Sequence, residues 1–265
     1  MDLQLKDQVI IVTGGSSGIG QGISMTLARE GAILFLVGRN EANLRQVTAD
    51  LQELGTQAAY AVAELTDPEQ CRRAVRAAVD TFGTVHALVN NAGVNDGVGL
   101  ENGNYEDFML SLQRNVVHYY LMAQLTLPYL KENRGAILNI GSKTSVTGQG
   151  GTSGYAAANG GRNALTREWA VELLPYGIRV NALIVAECYT PLYERWISTF
   201  DRPEEKLREI TEKIPLGNRM TTSEELGDAA AFLLSPRSSH TTGQLIFVDG
   251  GYTHLDRALS TNDAP

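Results

Sequence analysis

The sequence predicts an α/β fold, a doubly wound parallel sheet of about seven strands with helices on both faces. Short apolar runs alternate with helix-like segments along the chain of 265 residues. These runs lack the apolar–polar alternation of a half-exposed sheet, which indicates strands that are covered on both faces. A glycine-rich octet follows the first run directly and opens a helix, as in a strand–turn–helix unit. No Pro/Gly/Ser-rich linker and no repeat divides the chain, so we expect one domain over residues 1–265.

Composition excludes several functional classes. With 22 Lys and Arg against 30 Asp and Glu, the formal net charge is −8. This charge argues against nucleic-acid and anionic-membrane partners and, mildly, against strongly acidic substrates. The first residues lack the apolar core of a signal peptide, and no run approaches membrane-spanning length. The two cysteines lie far apart, no Asn-x-Ser/Thr sequon occurs and the four histidines lack metal-ligand spacing. We therefore expect a cytoplasmic protein without a metal site.

The octet Thr13-Gly-Gly-Ser-Ser-Gly-Ile-Gly20 indicates a phosphate-binding turn. The first predicted strand, residues 9–12, feeds the octet, a helix over 19–30 leaves it, and a second strand over 32–37 completes a βαβ unit. Its glycines let the backbone turn tightly and approach a pyrophosphate, while the free N–H groups of the new helix face the anion. A glycine loop without a ligand is the alternative. The residues expected to bind a dinucleotide here are Gly14, Ser16, Ser17, Gly18, Ile19 and Gly20.

The residues after the second strand bear on which dinucleotide is bound. An acidic side chain at this point would bind the ribose 2′-hydroxyl of NAD, whereas an arginine suits the 2′-phosphate of NADP. The chain has Gly38-Arg39-Asn40, with no carboxylate beside Arg39 in the sequence, and Asn40 can also donate. We therefore expect NADP to be preferred over NAD. In the alternative, Arg39 only opens the helix predicted over 41–54 and stacks on the adenine, which leaves NAD usable.

Two further strands end in cofactor candidates. The third, residues 57–62, is followed by Glu64 and Leu65, where a carboxylate could accept a hydrogen bond from the adenine amino group. A helix then begins at residues 66–69, which combine a cap, a proline and acids near its positive end. The fourth strand, residues 85–89, closes on Asn90-Asn-Ala-Gly93. Small residues there let the backbone lie against the cofactor, so Asn90, Ala92 and Gly93 are assigned to it.

Polar residues follow at the carboxyl ends of the strands, where ligands bind in such sheets. Asn95 and Asp96 are candidates for substrate hydroxyls, and ordinary turn residues are the alternative. Asn115 lies inside a helix predicted over 105–130. Because asparagine is a mediocre helix former, its place in the interior of this helix implies a local polar role. The fifth strand, 136–140, is followed by Ser142 at its mouth.

The last third of the chain completes the sheet and the pocket. A helix predicted over 153–174 places Tyr155 and Asn159 one turn apart on one face. A sixth strand over 178–185 leads into an irregular, lid-like arm over 186–214. The last strand is predicted over 245–248.

At this point the chain resembles the short-chain dehydrogenase/reductase family over nearly its whole length. The pieces that carry the resemblance are, in order, the octet, Asn90-Asn-Ala-Gly93, Asn115, Ser142, Tyr155 thirteen residues later, Thr190 and Val248-Asp-Gly-Gly251. The resemblance implies a Rossmann-like fold, an NAD(P)-dependent oxidoreductase and a homotetramer built on the helix over 153–174 and the C-terminal strand.

Shorter pieces are similar to the L-fucose dehydrogenase branch, which oxidises an aldose at its anomeric carbon to a lactone. They are residues 91–97, 142–144, 146–150, 190–193 and 248–257. The substrate expected from this likeness is a small-molecule sugar, L-fucose or a close relative.

The resemblance also implies roles for single residues. Ser142 holds the reacting oxygen, Tyr155 moves the proton, and Asn115 holds a water that relays it. A lysine four residues after the tyrosine lowers the pKa of the phenol and binds the nicotinamide ribose in family members. Thr190 in the arm, with Cys188 just before it, contacts the cofactor.

The chain departs from the family at that lysine. Its motif is Tyr155-Ala-Ala-Ala-Asn159, and an amide can bind a ribose hydroxyl but carries no charge. A nearby cation depresses the pKa of an acid by roughly 1 to 3 units, so losing it corresponds to about one to three decades in rate at neutral pH. Either the protein is weakened or inactive and still binds cofactor, or another cation compensates, with Lys143 and Arg162 as candidates. We expect a slow dehydrogenase with an alkaline optimum.

A second departure concerns the substrate. Glu187 stands in Val185-Ala-Glu187, where the family usually has Pro-Gly, and points an acid toward the pocket; a solvent-facing arm residue is the alternative. Trp196 could stack on the apolar face of a sugar, or simply pack. The polar set that suits several hydroxyls better than a steroid or acyl chain is Asn95, Asp96, Lys143, Gln149 and Glu187. A cofactor-binding member with little turnover and a ketone or ketoacyl reductase remain alternatives to the aldose dehydrogenase.

Overall fold

A computed structural model describes residues 1–255 and contains one parallel sheet. The strands are β1 (Val9–Thr13), β2 (Ile33–Gly38), β3 (Ala58–Val62), β4 (Ala87–Asn90), β5 (Ala136–Ser142), β6 (Arg179–Val185) and β7 (Leu245–Val248). Their spatial order is β3-β2-β1-β4-β5-β6-β7, and each neighbouring pair is parallel. The strand order reverses between β1 and β4, which opens a crevice at the carboxyl ends of the strands. The predicted doubly wound α/β fold is confirmed.

Helices cover both faces of this sheet. They are α1 (Gly18–Arg29), α2 (Glu41–Glu53), α3 (Pro68–Phe82), α4 (Tyr105–Leu112), α5 (His118–Asn133), α6 (Ser153–Glu172), α7 (Pro191–Ile197), α8 (Pro203–Thr211) and α9 (Ser223–Leu234). Alternate residues of β1 serve the two faces, because Ile10 and Val12 pack with α1, α2 and α9 while Ile11 packs with α3, α5 and α6. Every residue of β1 is buried, which explains the unbroken apolar run in the sequence.

The long helix predicted over 105–130 is wrong in its continuity. A π-helical turn, Gln113–Val117, separates α4 from α5, and α5 extends to Asn133. Asn115 lies in the middle of this turn and is buried. Its side chain forms hydrogen bonds with the backbone of Val94, in the loop after β4. The π-helical turn therefore carries a polar contact to that loop.

The arm over 186–214 is also more regular than expected. It contains α7 and α8, each beginning with a proline, and Thr190 caps α7 by accepting a hydrogen bond from the backbone of Tyr193 at 3.3 Å. The helix α9 was not predicted at all. A capping box marks its start, since the hydroxyl of Thr222 and the carboxylate of Glu225 each bond to the other residue's backbone N–H. That Thr-x-x-Glu spacing is visible in the sequence.

Within residues 1–255, no helix has the length and apolar character to cross a bilayer, and no group of three or more His, Cys, Asp or Glu side chains is placed to bind a metal ion. Cys71 and Cys188 are both buried free thiols. Burial, followed by nearby carboxylates, raises the pKa of the Cys71 thiol to about 11 and that of Cys188 to about 12. Thiols held protonated in this way are poor nucleophiles.

Candidate active site

A cleft of about 540 Å³ opens at the carboxyl ends of the strands, between the phosphate turn, the strand ends and the arm. Most of the predicted cofactor residues lie on its wall: Gly14, Ser16, Ser17, Gly18, Ile19, Arg39, Asn40, Glu64, Leu65, Ala92, Gly93, Cys188 and Thr190. Gly20 and Asn90 lie behind the wall. Gly20 packs under the turn, where a Cβ would overlap the carbonyl oxygen of Gly14. Asn90 is buried and donates to the backbone of Tyr119 at 3.2 Å.

The phosphate turn has the properties that a pyrophosphate requires. Gly14 and Gly18 adopt left-handed backbone conformations, with φ of 64° and 54°. Ser17 is the N-cap of α1 but its side chain makes no capping hydrogen bond, and the first turn of α1 contains no acid. Because these first N–H groups have no capping side chain, the positive end of the helix is available to an anion. Asn91 steadies the turn by donating to the carbonyl oxygen of Thr13 at 2.9 Å. The described residues therefore fit a nicotinamide dinucleotide.

Arg39 has a carboxylate beside it after all. Its Nη1 lies 3.3 Å from Oε2 of Glu64, and the two side chains are 69% and 40% exposed. Burial opposes ionisation of Glu64, but the backbone N–H of Thr66 and the Arg39 guanidinium outweigh it and hold the pKa of this carboxyl below its usual value. An ion pair this exposed contributes little to stability, so Arg39 can exchange Glu64 for a ligand phosphate.

Ser142 ends β5 and its hydroxyl is positioned as a donor. Its Oγ accepts from the backbone N–H of Thr144 at 3.3 Å and from the Thr144 hydroxyl at 3.1 Å. With both acceptor positions used, the Ser142 proton remains for a group in the cleft. The sequence did not predict the contribution of Thr144, which depends on the 3₁₀ turn Lys143–Ser145 folding back on Ser142.

Tyr155 lies in the first turn of α6, half-buried, on the wall of the same cleft as Ser142. A donor and a phenol thus border one cavity together with the phosphate turn. Holding an oxygen and transferring its proton next to a bound dinucleotide requires a donor and an acid–base group at one cavity.

Asn159 and Asn115 are turned into the protein. Asn159 is fully buried, donates to the carbonyl oxygen of Tyr155 at 2.9 Å and accepts from Nη1 of Arg162 at 3.1 Å. Neither asparagine is on the cleft wall, whereas Arg162 is. The amide of Asn115 accepts from Val94 N–H at 2.8 Å and donates to its carbonyl at 2.9 Å. These contacts involve the polar atoms that would otherwise contact a ribose or a water.

The predicted substrate residues are divided between the cleft and its surroundings. Asn95 lies on the cleft wall, whereas Asp96 accepts from the hydroxyl of Ser111 at 2.8 Å. Gln149 is exposed in the loop after the 3₁₀ turn. Trp196 is 45% exposed and packs edge-on against Tyr193, at 5.2 Å between ring centroids, and against Phe200.

Lys143, the residue after Ser142, forms an ion pair with Glu187, and neither of these predicted substrate residues is on the cleft wall. Their side chains are only 10% and 13% exposed. The Lys143 ammonium also lies 3.9 Å from the centroid of the Tyr252 ring. Burial, and then the charge of the nearby Glu187 carboxylate, raises the pKa of Tyr193, which lies on the cleft wall. Tyr193 and Tyr252 were not among the predicted site residues.

His118 lies on the cleft wall, 1% exposed, with Nε2 bonded to the carbonyl of Arg114 at 2.9 Å. Burial, and then the positive charge of Arg162, lowers the pKa of this imidazole to about 4. An unfolded histidine titrates at about 6.5, so the unfolded chain binds more protons between these two pH values. Stability due to His118 is therefore complete above pH 6.5 or so and falls as the pH drops toward about 4.

We expect His118 to remove about 2 kcal/mol from the free energy of unfolding between about pH 7.5 and about pH 5. Urea unfolding of the natural protein and of His118→Gln, at one protein concentration, measures this contribution. The variant should lose about 2 kcal/mol less than the natural protein over this range. His240→Gln, at an exposed histidine, is the matched control. An equal loss in His118→Gln and the natural protein would show that His118 is not the residue responsible.

Comparisons with known proteins point to one family. A family model described as Enoyl-(Acyl carrier protein) reductase matches residues 14–253. The chain is 32% identical over 250 residues to the 3-oxoacyl-(acyl-carrier-protein) reductase FabG of Thermotoga maritima, covering 94% of this chain and 99% of that protein. It is 33% identical over 252 residues to the L-fucose dehydrogenase of Bos taurus, covering 95% and 91%. The crystal structure of the Cj0485 dehydrogenase has a TM-score of 0.94 at 44% identity, covering 97% of this chain and 98% of that one.

These matches span the sheet, the phosphate turn and the cleft bordered by Ser142 and Tyr155, and they confirm the resemblance drawn from the motifs. The relatives at about one-third identity carry different substrate names, so they define the reaction type and leave the substrate open. The chain belongs to the short-chain dehydrogenase/reductase family and is an NAD(P)-dependent oxidoreductase that acts on a CH–OH group.

Proposed function

We propose that the protein oxidises the anomeric CH–OH group of an aldose, L-fucose or a close relative, to the lactone, with NADP preferred over NAD. The observation that carries this proposal is the nearly buried ion pair between Glu187 and Lys143, the residue that follows Ser142 in the chain. A charged pair removed from water is favourable only when further hydrogen bonds satisfy it. A sugar presents several hydroxyls that can bond to such groups, and an acyl chain presents none.

The proposed chemistry assigns separate tasks to the residues of the cleft. Ser142 donates a hydrogen bond to the reacting oxygen of the sugar, which holds that oxygen near Tyr155. The Tyr155 phenolate then takes the hydroxyl proton. The phosphate turn would hold the dinucleotide, with Arg39 reaching a 2′-phosphate. When bound, the dinucleotide supplies the nicotinamide that accepts the hydride.

The arm adds support for a polar substrate. Tyr193 lies on the cleft wall, and the charge of the nearby Glu187 adds to burial in raising its pKa. An aromatic ring on the cleft wall is thus combined with a nearby carboxylate. Sugars are commonly bound by this combination, because a ring covers their C–H face while a carboxylate accepts from their hydroxyls. The L-fucose dehydrogenase of Bos taurus is a similar protein at 33% identity. By family resemblance, we extend the proposal to a homotetramer in the cytoplasm.

A second candidate is the reduction of a 3-oxoacyl group. FabG of Thermotoga maritima is similar at 32% identity, nearly the same as the sugar enzyme. Ser142 and Tyr155 would serve this reaction equally, with Tyr155 giving its proton to the developing alkoxide. We rank the reduction of a 3-oxoacyl group second, because an acyl chain would offer no new hydrogen-bonding partner to the buried Lys143–Glu187 pair.

A spectrophotometric screen tests the proposal. Aldoses are supplied with NAD and with NADP in parallel, and 3-oxoacyl thioesters with the two reduced cofactors. We expect reduction of NADP that depends on L-fucose or a related aldose, with a lower kcat/KM for NAD. Turnover confined to the thioesters would select the reductase instead. Cofactor binding without turnover on either panel would select a member that binds dinucleotide with little activity.

The same assay tests the substrate pocket. Glu187→Gln should raise KM for the aldose by roughly tenfold or more, the value of one charge-assisted hydrogen bond, while KM for NADP stays within about twofold. Glu194→Gln is the matched control, since Glu194 is an exposed acid of the same arm. An unchanged aldose KM in Glu187→Gln would argue against a carboxylate contact to the sugar.

A further inference from the structure

Arg162 is a buried cation for which the structure shows no acidic partner. The residue lies in α6, seven positions after Tyr155, and is 3% exposed. Among residues 1–255 no carboxylate lies within ion-pair distance of its guanidinium. Burying an arginine without a neutralising acid is costly, so its charge is expected to serve a group nearby. Arg162 lies on the wall of the cleft that also contains Ser142 and Tyr155.

Four hydrogen bonds hold the guanidinium in place. Nε donates to the carbonyl oxygen of Asn115 at 2.5 Å, and Nη1 donates to the carbonyl of Ile140 at 3.0 Å and to Oδ1 of Asn159 at 3.1 Å. Nη2 makes one long bond, 3.4 Å, to Oδ1 of Asn115. A guanidinium has five N–H donors, so within the described residues one N–H on Nη2 remains for a group in the cleft.

Asn159 and Arg162 act together in this arrangement. Asn159 stands where family members have lysine. Its Oδ1 accepts a hydrogen bond from the guanidinium of Arg162, three positions further along the helix. Gly93 completes the fit, because a Cβ at that position would lie 2.8 Å from Nη2 of Arg162. The chain therefore has a buried positive charge on α6 three residues beyond the sequence position of the family lysine, on the wall of the cleft.

We propose that the Arg162 guanidinium supplies at Tyr155 the positive charge that lysine supplies in other family members, favouring the phenolate, an inference that rests on the proposed acid–base role of Tyr155. The guanidinium carbon lies 6.0 Å from the centroid of the Tyr155 ring. An opposite charge within about 4–6 Å favours the charged form of an acid. Arg162 acts through Tyr155 and is a positioning residue in this sense.

The other charged and titratable groups around Tyr155 do not take this role. Lys143, on the 3₁₀ turn packed against α6, is neutralised by Glu187. Arg114, on the π-helical turn, is exposed and therefore screened by solvent. His118 is held neutral by burial, and burial likewise keeps the phenol of Tyr119 protonated. Asp96, the acid in the loop after β4, is bonded to the Ser111 hydroxyl.

This assignment changes the expected effect of restoring the family lysine. In Asn159→Lys an ammonium would replace the amide oxygen that now accepts a hydrogen bond from the Arg162 guanidinium. Two buried cations would then lie next to each other. We expect that single variant to be less active than the natural protein. Asn159→Lys combined with Arg162→Met places one cation at the family position and is expected to recover the natural pH profile.

The test compares Arg162→Gln, Arg162→Lys, the Asn159→Lys/Arg162→Met double variant and the control Arg167→Gln, an exposed arginine of the same helix. For Arg162→Gln we expect the pH midpoint of kcat to move about one to three units upward, with a roughly 10- to 1,000-fold lower rate at pH 7. Arg162→Lys, the double variant and Arg167→Gln should keep the midpoint within about half a unit. A structural role alone would lower the rate at every pH and leave the midpoint in place.

A second readout needs no turnover. With ¹³C-labelled tyrosine in the protein free of cofactor, the Tyr155 signal is identified by its loss in Tyr155→Phe, and its titration is followed by NMR. We expect the Tyr155 titration to move to higher pH in Arg162→Gln. If Arg162→Gln does not fold, the Asn159→Lys/Arg162→Met variant, which keeps one cation, is compared with Asn159→Met/Arg162→Met, which has none and should show the same displacement. An unmoved Tyr155 titration in folded, charge-free variants overturns the inference. Displacement of the titration in a protein that oxidises no aldose would sustain the inference and reject the proposed substrate.

Discussion

Replacing Tyr155 by phenylalanine is expected to lower kcat by about two to four orders of magnitude. The substitution removes only the phenolic oxygen, which is the group proposed to take the hydroxyl proton. Tyr155 is half-buried on the cleft wall, so a ring of the same size should keep the packing of α6. We therefore expect the dissociation constant for NADP to change by less than about threefold, because the phenol is proposed to act in proton transfer more than in binding. Steady-state kinetics and a fluorescence titration measure the two quantities.

The matched control is Tyr120→Phe, which removes a phenolic oxygen from a tyrosine on α5 that is 52% exposed. Its kcat should equal that of the natural protein. If Tyr155→Phe kept kcat within about tenfold, below the usual range for loss of an acid–base group, the proton would have to leave through another residue.

Replacing Gly20 by alanine is expected to weaken cofactor binding strongly, raising the dissociation constant for NADP by roughly 10- to 100-fold. Alanine normally stabilises a helix relative to glycine by about 1 kcal/mol. Here the new Cβ would overlap the carbonyl oxygen of Gly14 and lie 2.5 Å from Nδ2 of Asn91, so backbone of the phosphate turn would have to move. Overpacking of this kind costs about 1–3 kcal/mol and outweighs the helix preference. The displaced turn would also misplace the N–H groups that face the pyrophosphate.

Gly160→Ala is the control for this prediction, since Gly160 is also helical and a Cβ there would meet nothing within 4 Å. We expect it to leave cofactor affinity unchanged and to keep or slightly raise the free energy of unfolding. A fluorescence titration with NADPH and urea unfolding give both values. An affinity within about threefold of the natural protein in Gly20→Ala would mean that the turn tolerates the Cβ and that the close approach of α1 to the turn is not needed for binding.

Sequence and structure agree best where the information is local. The strands, the phosphate turn and the cap of α3 could be predicted because each depends on residues within one short window. The burial of β1, for example, follows from five consecutive apolar or small residues, and Asp67 caps α3 as a residue type that favours that position. Local information was also present for α9, whose Thr222-x-x-Glu225 box predicts a helix start.

The sequence by itself determined the α/β class, and it predicted the dinucleotide turn and the pair Ser142 and Tyr155, because periodicity and motif spacing are properties of neighbouring residues. Only the tertiary structure decided which charges meet. Arg39 pairs with Glu64 across 25 positions, and Lys143 pairs with Glu187 across 44. The structure also decided that Arg162 is buried against Asn159 and Asn115, while Lys143 is neutralised. The reason is physical: the energy of a charge depends on its distance from other charges and from water, and both distances are set by how the strands and helices pack.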